Sequence, residues 1–214
     1  MSPVITTQWL GRISYQAALT MQESLVEKKA SGDPVGHLLL LEHDPVYTMG
    51  RNRDVSSLQI EEELPHPVVR TNRGGQATYH GPGQLVGYPI LDLNLHGRDL
   101  HLYLRFLEEV LIDVLDFYQV QACRRDGLTG VWVEDRKIAS IGVGVRKWIS
   151  MHGFALNVTG DLPGFSAIIP CGISGVTMTS LSQEARKDLS VQKVAEITAE
   201  IFLRRMETLP NGKF

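Results

Sequence analysis

The sequence lacks the residues that mark several large classes of protein. It contains two cysteines, Cys123 and Cys171, and no CxxC or HExxH spacing. Because disulfide frameworks and structural zinc sites need more cysteines or closer ligands, we expect free thiols and no bound metal. Neither GxGxxG nor GxxxxGK[ST] is present, so the chain has no recognisable phosphate-binding loop.

Long apolar runs and a strong excess of one charge are also missing. No apolar stretch approaches the roughly 20 residues that span a bilayer, and the first ten residues, MSPVITTQWL, have neither the pattern of a secretory signal nor the arginines of a transit peptide. The net charge of −3 offers no general surface for nucleic acid. We therefore expect a cytoplasmic protein that binds neither membranes nor nucleic acids.

The hydrophobic pattern predicts an α+β fold. Apolar residues at helical spacing predict helices over residues 14–30, 99–118 and 190–206, and Ser14, Asp99 and Ser190 are suitable N-caps. Because the strand candidates lie bunched between the helices, we expect residues 1–214 to form one domain with a mixed sheet and flanking helices. The strand candidates are residues 37–43, 45–49, 85–91, 120–123, 130–134, 137–145 and 152–158.

Residues 73–84 read RGGQATYHGPGQ and contain four glycines. Glycine and proline weaken helices and central strands, so this composition predicts a loop in which backbone can come close to a ligand. An ordinary surface loop is the alternative interpretation. The density of Arg, Tyr, His and Gln in the segment favours a binding loop.

Cys171 is the first candidate nucleophile. Pro170 and Gly172 flank it, which predicts a thiol on a shaped loop close to backbone N–H groups. A buried, inert cysteine is the alternative. Cys123 competes because Arg124 and Arg125 follow it and nearby cations lower the pKa of a thiol. However, its neighbours suggest a short strand in the core.

A nucleophilic thiol needs a partner that favours the thiolate. His80, inside the glycine-rich segment, is the best candidate among the histidines, whereas His152 opens a predicted strand and can serve a local role. Lys137 is the other option because a desolvated lysine can exchange protons near neutrality. Its ordinary interpretation is a solvated turn lysine paired with Glu134 or Asp135.

Several segments together resemble the lipoyl(octanoyl) transferase family. They are RGGQATYHGPGQLVGYPILDL (73–93), GVWVEDRKIASIGVGVR (130–146), HGFALNV (152–158) and IIPCGISGVTMTSL (168–181), with LEHDPVYTMGR (41–51) upstream. The resemblance implies the α/β catalytic fold shared by biotin and lipoate protein ligases. It also implies that Cys171 is the acyl-thioester nucleophile and that Lys137 lowers its pKa. The acyl-substrate contacts that it implies are Arg73, Gly74, Gly75, Gln76, Ala77, Thr78, Tyr79, His80, Ser140, Ile141, Gly142, Gly153, Phe154 and Ala155.

The resemblance further implies a reaction and its partners. The expected donor is octanoyl-acyl carrier protein, and the expected acceptors are lipoyl domains of 2-oxoacid dehydrogenase E2 subunits and the glycine cleavage H protein. No ATP, metal or other cofactor is expected, because the octanoyl thioester is already activated. Two alternatives stay open: an ATP-dependent lipoate–protein ligase on the same fold, and a non-catalytic module that binds lipoyl domains or acyl carrier protein.

Overall fold

The strands form two sheets in the computed structural model, which describes residues 4–51, 64–159, 163–169 and 175–214. In chain order the strands are β1 (Ile5–Ile13), β2 (Gly36–His43), β3 (Val46–Met49), β4 (Val68–Arg70), β5 (Ala77–His80), β6 (Gln84–Ile90), β7 (Cys123–Arg125), β8 (Leu128–Val133), β9 (Arg136–Arg146), β10 (Ile149–Asn157) and β11 (Thr177–Met178). The helices are α1 (Tyr15–Ala30), α2 (Leu100–Phe117), α3 (Leu181–Ala185) and α4 (Val191–Glu207).

The main sheet has the order β1-β2-β6-β10-β9-β8-β7, with β11 added beside β9. The β1–β2 and β9–β11 pairs are parallel, and the other neighbours are antiparallel. A smaller sheet has the order β4-β3-β5. These pairings confirm the expected α+β fold with a mixed, mainly antiparallel sheet and flanking helices.

Helices cover both faces of the main sheet. The four-leucine run of β2 shows why both faces must be covered, because successive side chains of a strand point to opposite faces. Leu38 and Leu40 join the core cluster that contains residues of α2 and α4. Leu39 and Leu41 join the cluster that contains Ala18 of α1. The run therefore lies in a strand that is buried on both sides.

The capping residues explain where the first two long helices begin. The Ser14 side chain accepts a hydrogen bond from the Ala17 N–H, and Asp99 accepts from the N–H groups of His101 and Leu102. Both bonds satisfy donors that a helix leaves open at its start. Ser190 occupies the N-cap position of α4 but makes no such side-chain bond. The described part of the chain has no helix long and apolar enough to cross a membrane.

Several features of the fold differ from the sequence-based expectations, and the short elements β4, β11 and α3 were not predicted. β1 was not predicted, because its sequence ITTQWLGRI is half polar and its position at the sheet edge leaves much of it exposed. Residues 77–80, expected in a loop, form the buried strand β5, which pairs with β3. Cys123, expected in the core, is exposed on the edge strand β7.

Candidate active site

A cavity of about 190 Å³ lies where residues of the two sheets meet. Its walls come from β5 and the preceding loop, from β6, β9 and β10 of the main sheet, from the start of α1, and from the start of β8 with the turn before it. The lining residues are Tyr15, Arg73, Gly75, Gln76, Thr78, His80, Tyr88, Gly127, Leu128, Thr129, Lys137, Ser140, Ile141, Gly142, His152, Gly153, Phe154 and Ala155. The cavity therefore brings together three of the sequence segments that were singled out separately.

Two cross-strand pairs of small residues form the floor of this cavity. Gly142 lies opposite Gly153, and Ser140 lies opposite Ala155, in the antiparallel pairing of β9 with β10. Because side chains alternate along a strand with period two, both pairs belong to the same face of the sheet. A Cβ at Gly142 would lie 3.0 Å from the carbonyl oxygen of Gly74, so the loop passes directly over this position. The small residues leave a narrow space between loop and sheet.

Alternation along β5 divides the predicted contacts of the glycine-rich segment. Thr78 and His80 border the cavity. Ala77 and Tyr79 point to the other side, where they pack in a second core cluster with Tyr47. Because side chains alternate between the two faces of a strand, the assignment of ATYH to a strand by itself separates Thr78 and His80 from Ala77 and Tyr79.

The loop before β5 is held by the buried side chain of Arg73. Its Nη2 donates to the carbonyl oxygens of Thr48, at 2.6 Å, and Gln76, at 2.8 Å. Its Nη1 donates to the carbonyl oxygen of Gly74 at 2.9 Å. The N–H of Gly74 donates to Val143 on β9, and Gly74 does not border the cavity, whereas Gly75 and Gln76 do. Arg73 therefore keeps the shape of this wall.

The two histidines on the cavity wall are neutral near pH 7. Burial is the main cause that lowers the pKa of His80 to about 3, and the charges of His43 and Arg73 lower it further. Burial and the nearby Arg73 and Arg51 also lower the pKa of His152 to about 3. A neutral imidazole does not carry the positive charge that stabilises a nearby thiolate.

Lys137 is buried on the cavity wall, with 1% of its surface exposed. Its Nζ lies 5.3 Å from the centroid of the Trp132 ring, within the range of a cation–π contact. The interpretation as a solvated turn lysine is therefore wrong. Glu134 and Asp135, the acids expected to pair with it, lie instead 2.8 Å and 3.7 Å from Arg136.

A glycine makes room for the Lys137 side chain. Gly130 has φ +125°, and a Cβ at this position would lie 2.9 Å from Lys137 Cε and 2.5 Å from the carbonyl oxygen of Ala139. Any side chain there would therefore displace the lysine or the backbone of β9. Strand β8 and the lysine on β9 fit each other only with glycine at position 130.

Cys171, with its neighbours Pro170 and Gly172, lies outside the described residues. The described chain resumes at Gly175 and forms β11, which places Met178 opposite Lys137. The N–H of Thr179 donates to the carbonyl oxygen of Lys137 at 3.0 Å. Cys123 is exposed and does not border the cavity.

Sequence reasoning did not find every residue of the cavity wall. Tyr15, from the first turn of α1, and Tyr88, on β6, were not singled out, and neither were the turn residue Gly127 and the first two residues of β8, Leu128 and Thr129. Tyr15 Oη lies 3.5 Å from Nδ1 of His152, 137 positions away in the chain. No local pattern could have signalled this contact. Among the described residues, no three His, Cys, Asp or Glu side chains come together as metal ligands.

Residues 14–203 match the family model of the lipoyl protein ligase A/B catalytic domain. The chain is 53% identical over 196 residues to an octanoyltransferase of Geobacter sulfurreducens, covering 90% of this chain and 81% of the relative. It is 54% identical over 185 residues to an octanoyltransferase of Syntrophotalea carbinolica, covering 86% of each chain.

Solved structures of two ligases have a similar fold. Lipoate-protein ligase A bound with ATP has a TM-score of 0.66 at 18% identity, covering 97% of this chain and 86% of the other. Biotin protein ligase from Aquifex aeolicus in complex with biotin and ATP has a TM-score of 0.60 at 15% identity, covering 94% of this chain and 70% of the other. At these identities the likeness concerns the fold alone.

Proposed function

The chain belongs to the family of lipoyl protein ligase A/B catalytic domains, and we propose that within it the chain is an octanoyltransferase of protein lipoylation. Octanoyl passes from the thioester of octanoyl-acyl carrier protein to the side-chain amine of a lysine in a lipoyl domain. The expected acceptors are the E2 subunits of 2-oxoacid dehydrogenases and the glycine cleavage H protein. The observation that carries the proposal is a buried lysine on the wall of a cavity whose floor consists of small residues.

The reaction proceeds through an acyl-enzyme in two balanced steps. In the first, the Cys171 thiolate attacks the thioester carbonyl, a new carbon–sulfur bond forms, and the bond to phosphopantetheine breaks. Lys137 gives its proton to the departing thiolate. In the second, the acceptor amine attacks octanoyl-Cys171, and neutral Lys137 takes up a proton from that amine. An octanoyl amide and the original Cys171 thiolate result.

The cavity suits the acyl part of the donor. The cavity floor has little side-chain volume, so an extended alkyl chain can lie against the sheet. Its residues are Ser140, Gly142, Gly153 and Ala155. Each buried methylene contributes about 0.8 kcal/mol, which corresponds to about fourfold in affinity. The energy of the donor thioester makes amide formation favourable, so the proposed reaction uses no ATP, metal or other cofactor.

The proposed function predicts octanoyl transfer without ATP. The purified protein, incubated with octanoyl-acyl carrier protein and a lipoyl domain, should add one octanoyl group to the acceptor lysine, measured by intact mass and peptide mapping. Free octanoate with ATP should give no product. Pyrophosphate release with free octanoate would instead support a lipoate–protein ligase, and binding without any acylated product would support a non-catalytic module.

A larger side chain on the cavity floor should shorten the preferred acyl chain. Leucine in Ala155→Leu adds three carbons to the floor, so we expect transfer of octanoyl to fall at least tenfold and transfer of butanoyl or hexanoyl to fall less. The measurement is kcat/KM for acyl carrier protein thioesters of four to twelve carbons. Leu156→Met is the matched control, because Leu156 lies on the opposite face of β10 in the main core. An unchanged profile in Ala155→Leu would place the acyl chain elsewhere.

A further inference from the structure

A chain of buried hydrogen bonds runs from the loop before β5 towards β11. Arg73 Nη2 lies 2.8 Å from Thr48 Oγ1, and Thr48 Oγ1 lies 3.3 Å from His80 Nε2. His80 Nδ1 lies 2.7 Å from Gln84 Oε1, and Gln84 Nε2 lies 3.0 Å from Asn157 Oδ1. All five side chains are buried, and Gln84 and Asn157 each have only 1% of their surface exposed.

The chain of bonds ends on the backbone beside Lys137. Asn157 Nδ2 donates to the carbonyl oxygen of Thr179 at 3.0 Å. The N–H of the same Thr179 donates to the carbonyl oxygen of Lys137 at 3.0 Å. Thr179 is therefore held on one side by the main-chain bond to β9 and on the other side by the Asn157 amide.

Chemistry permits only one direction for these bonds. A guanidinium can only donate, and both Nη2 and Nε of Arg73 donate to Thr48 Oγ1, at 2.8 Å and 3.3 Å. Both lone pairs of this oxygen are then used, so the hydroxyl gives its own hydrogen to His80 Nε2. His80 is neutral because burial lowers its pKa to about 3, and it therefore carries its hydrogen on Nδ1, which donates to Gln84.

Backbone carbonyls determine the orientation of both amides. Gln84 Nε2 also donates to the carbonyl oxygen of Tyr79 at 3.2 Å, and Asn157 Nδ2 faces the carbonyl oxygen of Thr179. Because a carbonyl oxygen only accepts, neither amide can be reversed. Buried polar groups that lose a partner are costly, so the whole chain of bonds favours one arrangement of Thr179.

We propose that Asn157 is a positioning residue for acyl transfer, acting with Gln84 to hold β11 beside Lys137. This inference rests on the proposed function. Asn157 does not border the cavity, so it acts through Thr179 and not through the substrate. β11 pairs with β9 over two residues only, Thr177 and Met178, which provides few ladder bonds. The side-chain amide of Asn157 supplies the additional anchor.

The position of β11 matters because of its place in the chain. Thr177 is the sixth residue after Cys171 in the sequence, so β11 is the next described strand after the proposed nucleophile. The same strand lies against the backbone of Lys137. A looser β11 would weaken the contact of residues 177–179 with the strand that carries Lys137, and reaction rates depend steeply on the alignment of reacting groups.

Asn157→Leu tests the inference because it keeps the branching and approximate size of the side chain, removes the donor to Thr179, and introduces no carboxyl that could be protonated and donate in its place. We expect kcat for octanoyl transfer to fall at least tenfold, while KM for octanoyl-acyl carrier protein changes less than about threefold, because the cavity walls are unaltered. Backbone amides of residues 177–180 should exchange hydrogen faster. Gln84→Met, which keeps the length of the side chain and loses the donor to Asn157, should change both readouts in the same direction and less strongly.

Ser150→Ala is the matched control. Ser150 is also buried on β10, where its Oγ donates to the carbonyl oxygen of Pro89 and accepts from the N–H of Leu91, far along the strand from β11. The Ser150→Ala change removes a comparable buried hydrogen-bonding group at a site distant from β11. We therefore expect kcat and the hydrogen exchange of residues 177–180 to stay within twofold of the wild-type values.

The outcomes separate the inference from the proposed function. The inference is overturned if folded Asn157→Leu transfers octanoyl within twofold of the wild-type rate, if exchange at residues 177–180 is unchanged, or if Ser150→Ala loses as much activity. If the wild-type protein transfers no octanoyl at all, the proposed function fails, while the exchange experiment still reports whether Asn157 anchors β11.

Discussion

Cys171→Ala is expected to abolish octanoyl transfer and leave the fold intact. The Cys171 thiolate is the only group of the enzyme itself that bonds to the acyl carbon in the proposed mechanism, so its removal eliminates the acyl-enzyme intermediate. Loss of a covalent nucleophile typically lowers kcat by several orders of magnitude. The measurement is the rate of lipoyl-domain octanoylation, together with the intact mass of the enzyme after incubation with octanoyl-acyl carrier protein.

Cys123→Ala is the matched control for this experiment. Cys123 is exposed on β7 and does not border the cavity, so its removal should leave turnover unchanged. In the wild-type protein one octanoyl group should map to the peptide that contains Cys171. An octanoyl group on Cys123, or full turnover in Cys171→Ala, would contradict the proposed nucleophile.

Lys137→Ala is expected to lower turnover by about 10² to 10⁴, the usual contribution of general acid–base catalysis. Alkylation of Cys171 by iodoacetamide near neutral pH should slow as well, because the buried ammonium favours the thiolate. Lys193→Ala serves as a control, since Lys193 is an exposed lysine on α4 that pairs with Glu196. This variant should behave as the wild type in both measurements.

Lys137→Arg separates proton transfer from charge. A guanidinium keeps the positive charge but cannot give up a proton at accessible pH, so this variant should stay as inactive as the alanine variant. The room beside Gly130, where an added Cβ would already touch Lys137 Cε, also fits a lysine better than the broader guanidinium. An active Lys137→Arg variant would show that Lys137 supplies charge alone.

Local patterns in the sequence determined much of the framework. Helices α1 and α2 begin directly after Ser14 and Asp99, the residues expected to cap them, and the four-leucine run forms a strand with two buried faces. Capping and hydrophobic period depend on neighbours within a few residues, which is why they can be recognised in one sequence. The motifs around Arg73, Lys137 and Cys171 likewise indicated the family, which the comparisons confirm.

Tertiary structure decided the features that depend on distant partners. β1 is half polar and β5 follows a glycine-rich loop, so neither sequence indicates a strand by itself. Both strands form because they pair with another strand through backbone hydrogen bonds, β1 with β2 and β5 with β3. Cys123 is exposed because its short strand lies at the sheet edge. One part of the cavity wall is formed by the contact between Tyr15 and His152. The proposed anchor of β11 is the hydrogen bond from Asn157 to the carbonyl oxygen of Thr179. Such contacts join residues that only the sheet order brings together, so no local period or motif could indicate them.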